Sequence, residues 1–321
     1  MTELVLSPKY KRFLKYDTDV EFLEGTTAAG KTTVGAVKFL FKVAESDRKL
    51  HIISGLDLGT IEKNIIQSEL GIIDIFGDLV TYHSKGNKDH SLPHLKYKTS
   101  NGEKIIYVLG YDNKARWKKV LGGQYGCLYI DEINIADMEY VREIFMRADY
   151  VMATLNPDDP ELPIYHEYIN HSRPLPEYEN DAPREINDQL NQSPKAGWVH
   201  WFFGFSHNDG LTEKKKQKII SAVPTGTKLY KNKILGIRGR AEGLVFSNFE
   251  YKNNVITEQK AMSKNYVHFS CGVDTSYSAQ SNDTISFIFQ GITDVGELVI
   301  LEEEVKNNKD ENIPFSPSDV A

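Results

Sequence analysis

The sequence predicts an α/β fold built on a mostly parallel sheet. Strand-like and helix-like runs alternate through the first 155 residues, which is the pattern of parallel strands joined by helical crossovers. Residues 20–23 form a short strand-like run, and residues 31–44 have the spacing of a helix. The glycine-rich turn between these two runs is typical of a strand–loop–helix unit.

The next elements follow the same alternation. Residues 50–54 are a β-branched apolar run, and residues 57–70 have helical spacing. Asn101-Gly102 separates two alternating runs within residues 94–109, which predicts a hairpin. Later runs predict a buried strand at 127–130, a helix at 138–147 and a strand at 150–154.

The composition changes after these elements. Seven of the 12 prolines lie between Pro157 and Pro194, so this stretch is predicted to cross the surface without regular helices or central strands. A strand-like run at 198–205 and a helical run at 211–223 follow. Three glycines within 236–243 look like a linker, and a strand-rich unit begins near Tyr266, with apolar runs at 269–273, 284–289 and 297–305.

Length and these shifts in composition predict two domains. The first covers residues 1–240, with 157–235 as a proline-rich subdomain, and the second covers residues 241–321. The only cysteines, Cys127 and Cys271, lie in apolar runs and are predicted to be buried thiols, not a disulfide. No apolar run is long enough to span a membrane, so no membrane is expected as a partner.

The net charge of −7 argues against a protein whose whole surface binds nucleic acid, although it allows local basic patches. Each patch also fits a solvated helix face. Three such clusters occur: Lys9, Lys11, Arg12 and Lys15; Lys214, Lys215, Lys216 and Lys218; and Lys228, Lys231, Lys233, Arg238 and Arg240.

The turn after residue 24 carries a complete Gly-x-x-x-x-Gly-Lys-Thr pattern, which binds nucleotide phosphates. Its backbone N–H groups can surround phosphate oxygens, Lys31 can reach the β- and γ-phosphates, and the Thr32 hydroxyl can hold Mg²⁺. We therefore predict ATP and Mg²⁺ as cofactors. The predicted nucleotide-binding residues are Gly25, Thr26, Thr27, Ala28, Ala29, Gly30, Lys31, Thr32 and Thr33.

An acidic pair, Asp131 and Glu132, ends the predicted strand at 127–130. Asp131 in this position can contact Mg²⁺, and Glu132 can orient or deprotonate an attacking water. The alternative is a buried strand that ends in an exposed acidic turn. Because the pair lies about 100 residues after a full phosphate loop, in an α/β pattern, ATP chemistry is favoured.

Two further candidates are less specific. Asn156 ends the next predicted strand, where it could sense the γ-phosphate, although Asn-Pro is also a common turn dipeptide. Phosphoryl transfer also needs a cation to neutralise charge on the γ-phosphate. Arg116, Lys118 and Lys119 are the best-placed basic cluster, with Arg116 as the candidate and a solvated loop as the alternative for each.

Three histidines, His83, His90 and His94, lie within twelve positions and could in principle hold zinc. No cysteine is near them, and Gly86 and Pro93 favour a loop without metal.

Five blocks in this order resemble the large terminase subunit of tailed bacteriophages and prophages. They are residues 24–33, 129–132, 154–157, 239–246 and 272–274, the last followed by Asn282-Asp283-Thr284. The resemblance implies an N-terminal motor ATPase and a C-terminal RNase H-like nuclease, working in the cytoplasm of the bacterial host. It also implies double-stranded DNA, a portal on a procapsid and a small terminase subunit as partners, with a homo-oligomeric ring on the portal.

The resemblance also implies site roles. Glu132 corresponds to the catalytic glutamate, residues 154–156 to the motif that couples hydrolysis to movement, and Asp274 to the first metal-binding carboxylate of the nuclease. Asp283 is expected to be a further acidic residue near that metal. Family members often carry an arginine inside the phosphate loop, where this chain has Thr27, Ala28 and Ala29, so the cation must come from elsewhere.

The nuclease is expected to be incomplete. The family's later acidic residues normally lie well beyond the third strand, whereas this sequence ends at Ala321. Glu302, Glu303 and Glu304 come too early to replace them and fit a solvated strand end. We therefore expect only the start of an RNase H-like α/β domain.

Two other classes of protein fit part of the sequence. One is another P-loop nucleic-acid remodeller or helicase, and the other is a nucleic-acid-binding module with a regulatory ATP site. Helicases usually add a second motor domain, whereas residues 272–274 begin a different, strand-rich unit.

Overall fold

The computed structural model describes residues 4–240, 251–274 and 285–306. The chain forms two compact units, Met1–Ser247 and Asn248–Ala321, and each is described by itself.

The first unit is built on an eight-stranded sheet with the strand order β3-β4-β5-β2-β6-β7-β1-β8. The six strands from β5 to β8 in this order are parallel, and β3 and β4 extend the sheet as an antiparallel edge. This confirms the predicted α/β fold with a mostly parallel sheet. The strands are β1 Val20–Gly25, β2 Leu50–Gly55, β3 Val80–His83, β4 His94–Thr99, β5 Gly102–Gly110, β6 Tyr125–Ile130, β7 Ala148–Leu155 and β8 Trp198–Phe203.

Helices cover both faces of this sheet. One core cluster includes Phe39 and Leu40 of α2, and the other includes Tyr140 and Ile144 of α6. The helices are α1 Pro8–Lys15, α2 Lys31–Glu45, α3 Leu58–Ile61, α4 Ile72–Phe76, α5 Lys114–Trp117, α6 Met138–Phe145, α7 Pro163–Glu167, α8 Arg184–Gln189, α9 Glu213–Ser221 and α10 Lys228–Tyr230. Among the helices that the structure describes, none has the length and apolar character needed to cross a membrane.

The first helix shows how local sequence sets these elements. The Ser7 side chain accepts a hydrogen bond from the Tyr10 N–H, and Pro8 occupies the first turn, where no N–H is needed. α1 then buries Tyr10 and Phe13 against the aromatic strand β8, with the Tyr10 and Phe203 rings stacked at 4.2 Å. The N-terminal helix is therefore part of the core.

The proline-rich stretch differs from the prediction. It contains the short helices α7 and α8, and its side chains Tyr165, Ile169 and Ile186 are fully buried. Proline limits the length of each helix but does not prevent a one- or two-turn helix from packing. The prediction that this part of the chain only crosses the surface is therefore wrong, because its side chains contribute to the core.

The second unit contains a three-stranded antiparallel sheet in the order β11-β10-β9. The described elements are α11 Tyr251–Asn254, α12 Glu258–Met262, β9 Tyr266–Asp274, β10 Ile285–Thr293 and β11 Leu298–Lys306. Cys271 is exposed on the edge strand β9, so its predicted burial is wrong, whereas Cys127 is buried in β6 as expected. Both thiols are free.

Candidate active site

A cavity of about 260 Å³ lies at the edge of the sheet where the parallel strands end. Ligands of open α/β sheets bind at this edge. The cavity brings together most of the predicted ATP-site residues. Its lining residues are Thr27, Ala28, Ala29, Gly30, Lys31, Thr32, Thr33, Asp131, Glu132, Thr154, Leu155 and Asn156.

The phosphate loop takes its shape from two glycines. Gly25 has φ 151°, and a Cβ there would lie 1.8 Å from the Phe203 carbonyl oxygen, so only glycine fits. Gly30 is left-handed at φ 89° and starts α2. The N-terminus of this 15-residue helix therefore lies beside the cavity, where its free N–H groups favour an anion.

The loop is supported from behind by residues that the sequence analysis did not single out. Ala28 has a positive φ of 52°, an uncommon conformation for a residue with a side chain. Asn208 Nδ2 donates to the Ala28 carbonyl at 2.7 Å, and Tyr10 Oη donates to the Ala29 carbonyl at 2.8 Å. These two contacts hold the strained part of the loop from the segment after β8 and from α1. No short-range sequence signal links them to the loop.

Lys31 is buried and joins the loop to the end of β7. Its Nζ donates to the carbonyls of Gly25 at 3.0 Å and Thr26 at 2.6 Å, and to Asn156 Oδ1 at 3.1 Å. Burial lowers the pKa of Lys31 to about 7, although the Asp131 carboxylate opposes this shift. The structure thus brings Asn156 into contact with the loop, and it places the ammonium where nucleotide phosphates would supply a countercharge.

Asp131 follows β6 and is nearly fully buried beside Thr32. Their Oγ1 and Oδ1 atoms are 3.2 Å apart, and the Thr154 hydroxyl also donates to Asp131. Burial raises the pKa of Asp131, while the hydrogen bond from Thr154 acts in the opposite direction. A hydroxyl and a carboxylate at this distance are hard oxygen ligands, so the predicted pair Thr32 and Asp131 fits Mg²⁺.

Glu132 is half-buried and lines the same cavity. Its backbone is left-handed, with φ 52° and ψ 49°, and its N–H donates to Thr154 Oγ1 at 3.4 Å. Tyr111 Oη donates to its carbonyl oxygen at 3.2 Å. Non-glycine residues held in this conformation are enriched at functional sites. Glu132 thus lies at the cavity, and its role toward water stays a prediction.

The predicted cation is not in this cavity. Arg116 lies in α5, after β5, and does not line the cavity. Lys119 lines a different cavity, together with Tyr107 and Tyr125. The backbone of another basic residue, Lys233, lies against the loop: its carbonyl accepts the Thr27 N–H at 2.9 Å.

A buried ion pair lies directly before the loop. Glu24, the residue before Gly25, is bonded to Arg238 through two N–H groups, at 2.8 and 2.7 Å, and both side chains are fully buried. His200 Nε2 is 2.9 Å from the same carboxylate. Sequence reasoning missed this pair because its partners are 214 positions apart and have no motif.

The predicted nuclease carboxylates are only partly described. Asp274 is the last residue of β9 and is exposed, opposite Ser286 of β10, and Asp283 lies outside the described residues. The strand register puts Glu303 on the same face as Asp274, but two strands away and two residues along, or about 12 Å between backbones. Among the described residues, no three His, Cys, Asp or Glu side chains are grouped to hold a metal ion, and this includes the histidines at 83, 90 and 94.

The part of the chain that carries most of the site matches a known protein family by sequence. Residues 22–144, which contain the phosphate loop and the acidic pair, match the family described as "Terminase large subunit, T4likevirus-type, N-terminal". No curated protein matches the chain by sequence.

Solved structures share the fold. The large terminase of a thermophilic bacteriophage matches with a TM-score of 0.60 and 17% identity, over 98% of this chain and 72% of that one. Structures of the same phage protein in complex with ADP and with ATP-gamma-S match with TM-scores of 0.56 and 0.54, at 16% and 15% identity, over the same shares of both chains. At these identities the likeness is one of fold.

Proposed function

We propose that this chain, whose residues 22–144 match the terminase large-subunit family, is an ATP-hydrolysing motor subunit that packages viral double-stranded DNA into a procapsid. The observation that carries the proposal is the cavity in which the phosphate loop, Asp131, Glu132 and Asn156 converge. The large terminase of the thermophilic phage binds ADP and ATP-gamma-S, and the same nucleotide class suits the loop of this chain.

The reaction follows from the contacts. Lys31 and the N-terminus of α2 would bind the phosphates, and Thr32 and Asp131 would hold Mg²⁺, which neutralises phosphate charge when bound. Glu132 orients a water molecule whose oxygen forms a bond to the γ-phosphorus and whose proton moves to the carboxylate. The bond between the γ-phosphorus and the oxygen of ADP then breaks, releasing ADP and phosphate.

Asn156 is suited to report the state of the nucleotide. It accepts a hydrogen bond from Lys31, so phosphates that attract the Lys31 ammonium compete with Asn156 for it. Loss of this bond would free the end of β7 and the segment that follows. Asn156 is therefore our candidate for coupling hydrolysis to movement.

A surface for DNA is provided by α9. In the other two basic clusters of the sequence several cations are bound internally: Lys9 to Asp181, and Lys228 to Asp158. On α9, Lys214, Lys215 and Lys218 are exposed, and the first and last of these are one helical turn apart. We propose that these three ammonium groups contact DNA phosphates, which are recognised by charge without regard to sequence.

The remaining parts of the proposal concern assembly and the second unit. The subunit would act as a ring on a portal, with a small terminase subunit, in the cytoplasm of the bacterial host. The second unit would be the start of an RNase H-like nuclease that does not cut DNA in this form, because among the described residues Asp274 belongs to no group of three side chains that could hold a metal ion.

DNA-dependent ATPase measurements test the proposal. Phosphate release by the purified chain should depend on Mg²⁺ and increase with added double-stranded DNA, and Lys31→Ala should abolish it. A forked duplex should stay paired during hydrolysis. Strand separation would favour a helicase instead, and nucleotide binding without turnover would favour a binding module with a regulatory ATP site.

A further inference from the structure

The last described segment of the first unit, residues 231–240, lies along the phosphate loop. The Lys233 carbonyl accepts the Thr27 N–H at 2.9 Å. Gly236 has φ 69° and lies so close that a Cβ there would be 3.2 Å from Thr26 Cγ2 and 2.7 Å from the Phe202 ring. Together with the ion pair between Arg238 and Glu24, these contacts join the segment to the phosphate loop, and to the residue before the loop, at three places.

Arg238 makes the strongest of these contacts. Its guanidinium binds both oxygens of Glu24, donates to Asn170 Oδ1 at 2.8 Å and lies 4.0 Å from the centre of the Tyr165 ring. Burial would raise the pKa of Glu24, but Arg238 outweighs it and lowers the pKa to about 2. The carboxylate is therefore charged, and the pair is a complete ion pair inside the protein.

Such a pair is poorly explained by stability alone. Removing two charges from water is costly, and a buried ion pair can often be replaced by apolar residues without loss of stability. A bidentate pair does fix geometry, because the planar guanidinium matches the carboxylate in one orientation. Glu24 directly precedes Gly25, so what Arg238 fixes is the start of the phosphate loop.

The same segment also holds the chain that follows β7. The Gly239 N–H donates to the Asp158 carbonyl at 3.1 Å, and the Arg240 guanidinium is 3.4 Å from Asp159 Oδ1 and 3.2 Å from Glu161 Oε1. Asp158 is two residues after Asn156, which is bonded to Lys31. Residues 231–240 therefore contact both chain segments that a nucleotide would displace.

We infer that Arg238 is a positioning residue that ties the phosphate loop, through Glu24, to the segment leading out of the first unit, so that nucleotide binding changes the order of residues 228–240. The inference rests on the proposed function, because it requires nucleotide in the loop. It adds a residue and a route for coupling that lie outside the phosphate-binding motif.

Hydrogen exchange of the full chain, with and without Mg²⁺ and ATP-gamma-S, tests the inference. In the wild type, exchange should slow in peptides covering the loop and in peptides covering residues 228–240. In Glu24→Gln/Arg238→Met, which removes both charges together, the loop should still respond. The response of residues 228–240 should fall to less than about a third of the wild-type value, since the bidentate contact is gone.

The chain offers a matched control on the same strand. Lys38 and Glu21 form an ion pair with 2.6 Å between Nζ and Oε2, and both side chains are at most 1% exposed. Glu21→Gln/Lys38→Met removes an equally buried pair that has no contact with residues 228–240 in any of its described bonds. The wild-type response at residues 228–240 should persist in this variant.

The outcomes separate the two levels of the proposal. No response of the wild-type loop to ATP-gamma-S would refute the nucleotide site itself. If exchange in the wild-type loop slows but exchange in residues 228–240 does not change, the role of Arg238 alone is overturned. A full slowing of residues 228–240 in Glu24→Gln/Arg238→Met would overturn it as well. If that variant does not fold, Arg238→Lys replaces it. Lysine keeps the charge but lacks the planar fork, so the response should fall at least about twofold, and an unchanged response would overturn the role.

Discussion

Lys31 Nζ donates a hydrogen bond to Asn156 Oδ1 at 3.1 Å, which joins the phosphate loop to the end of β7. The same ammonium is bound by two loop carbonyls. Lys31 thus occupies a position between the loop and the candidate sensor, and a phosphate must draw it away from these neutral partners. This makes its charge state a measurable property of the site.

Nucleotide binding should take up protons above neutral pH. Burial lowers the pKa of Lys31 to about 7, and bound phosphates should raise it. Because Lys31 has the higher pKa when nucleotide is bound, the affinity for nucleotide is greatest below pH 7. It should fall by up to about tenfold per pH unit above pH 7. Calorimetry at pH 8 in buffers of different ionisation enthalpy should give an uptake approaching one proton. Lys31→Ala should bind weakly and show none, and equal uptake in that variant would assign the proton to another group.

Glu132→Gln should bind ATP and lose most of its turnover. The amide keeps the size of the side chain but cannot accept the water proton, and a general base typically contributes about 100- to 10,000-fold. Binding of a fluorescent ATP analogue and phosphate release should be measured on the same preparation. Near-normal turnover, in protein free of contaminating ATPase, would remove Glu132 from the mechanism.

Arg116 does not line the nucleotide cavity, so α5 must bring it there if it supplies the cation that stabilises the γ-phosphate, and Arg116→Ala should then lower turnover by about 1,000-fold or more while ATP still binds. Lys118→Ala and Lys119→Ala are the matched controls, since both residues are exposed and adjacent in sequence. A loss in one of these instead would move the role within the cluster. Full activity in all three variants would assign the cation to another segment or to a neighbouring subunit.

Replacement of Lys214, Lys215 and Lys218 by alanine should weaken DNA binding at low salt. Each phosphate contact contributes about 0.9 to the slope of log affinity against log salt, so the slope should decrease by up to about 2.7. The control replaces three other exposed lysines, Lys85, Lys88 and Lys98. An equal decrease in both triple variants would show a general charge effect and no specific role for α9.

The 321-residue chain should not linearise plasmid DNA with Mg²⁺ or Mn²⁺. Two-metal cleavage needs ions about 4 Å apart that share ligands, and the strand register leaves the backbones of Asp274 and Glu303 about 12 Å apart. The assay should be run beside Asp274→Ala. Cleavage by the natural chain that disappears in this variant would show that the missing ligands lie within the chain.

The sequence predicted the parts of the site that depend on local order. The phosphate loop, Asp131, Glu132 and Asn156 each follow the end of a strand, and parallel strands bring their carboxyl ends to one edge, so the converging cavity followed from the motifs. Seven of the eight strands of the first sheet were predicted for the same reason, since each carries its own periodicity, whereas the short edge strand β3 was not.

What the sequence did not predict depends on contacts between distant residues. Arg238 and Glu24 are 214 positions apart, and Tyr10 meets the loop from a separate helix. In the sequence, Arg238 is one member of a basic cluster and Tyr10 is an ordinary aromatic residue. No local pattern marks either of them as a contact of the phosphate loop. Burial in the proline-rich stretch was missed for a similar reason: its short helices pack through tertiary contacts that periodicity over a few residues does not reveal.

Only one of the two cysteines is accessible, so the unsubstituted chain has a single attachment point for a thiol-reactive probe. Burial raises the pKa of the Cys127 thiol to about 12, so it is neither accessible nor ionised near neutral pH, whereas Cys271 is exposed on the second unit. A maleimide fluorophore should therefore mark the second unit alone. Optical single-molecule recordings could follow that unit during ATP turnover without any cysteine being added or removed.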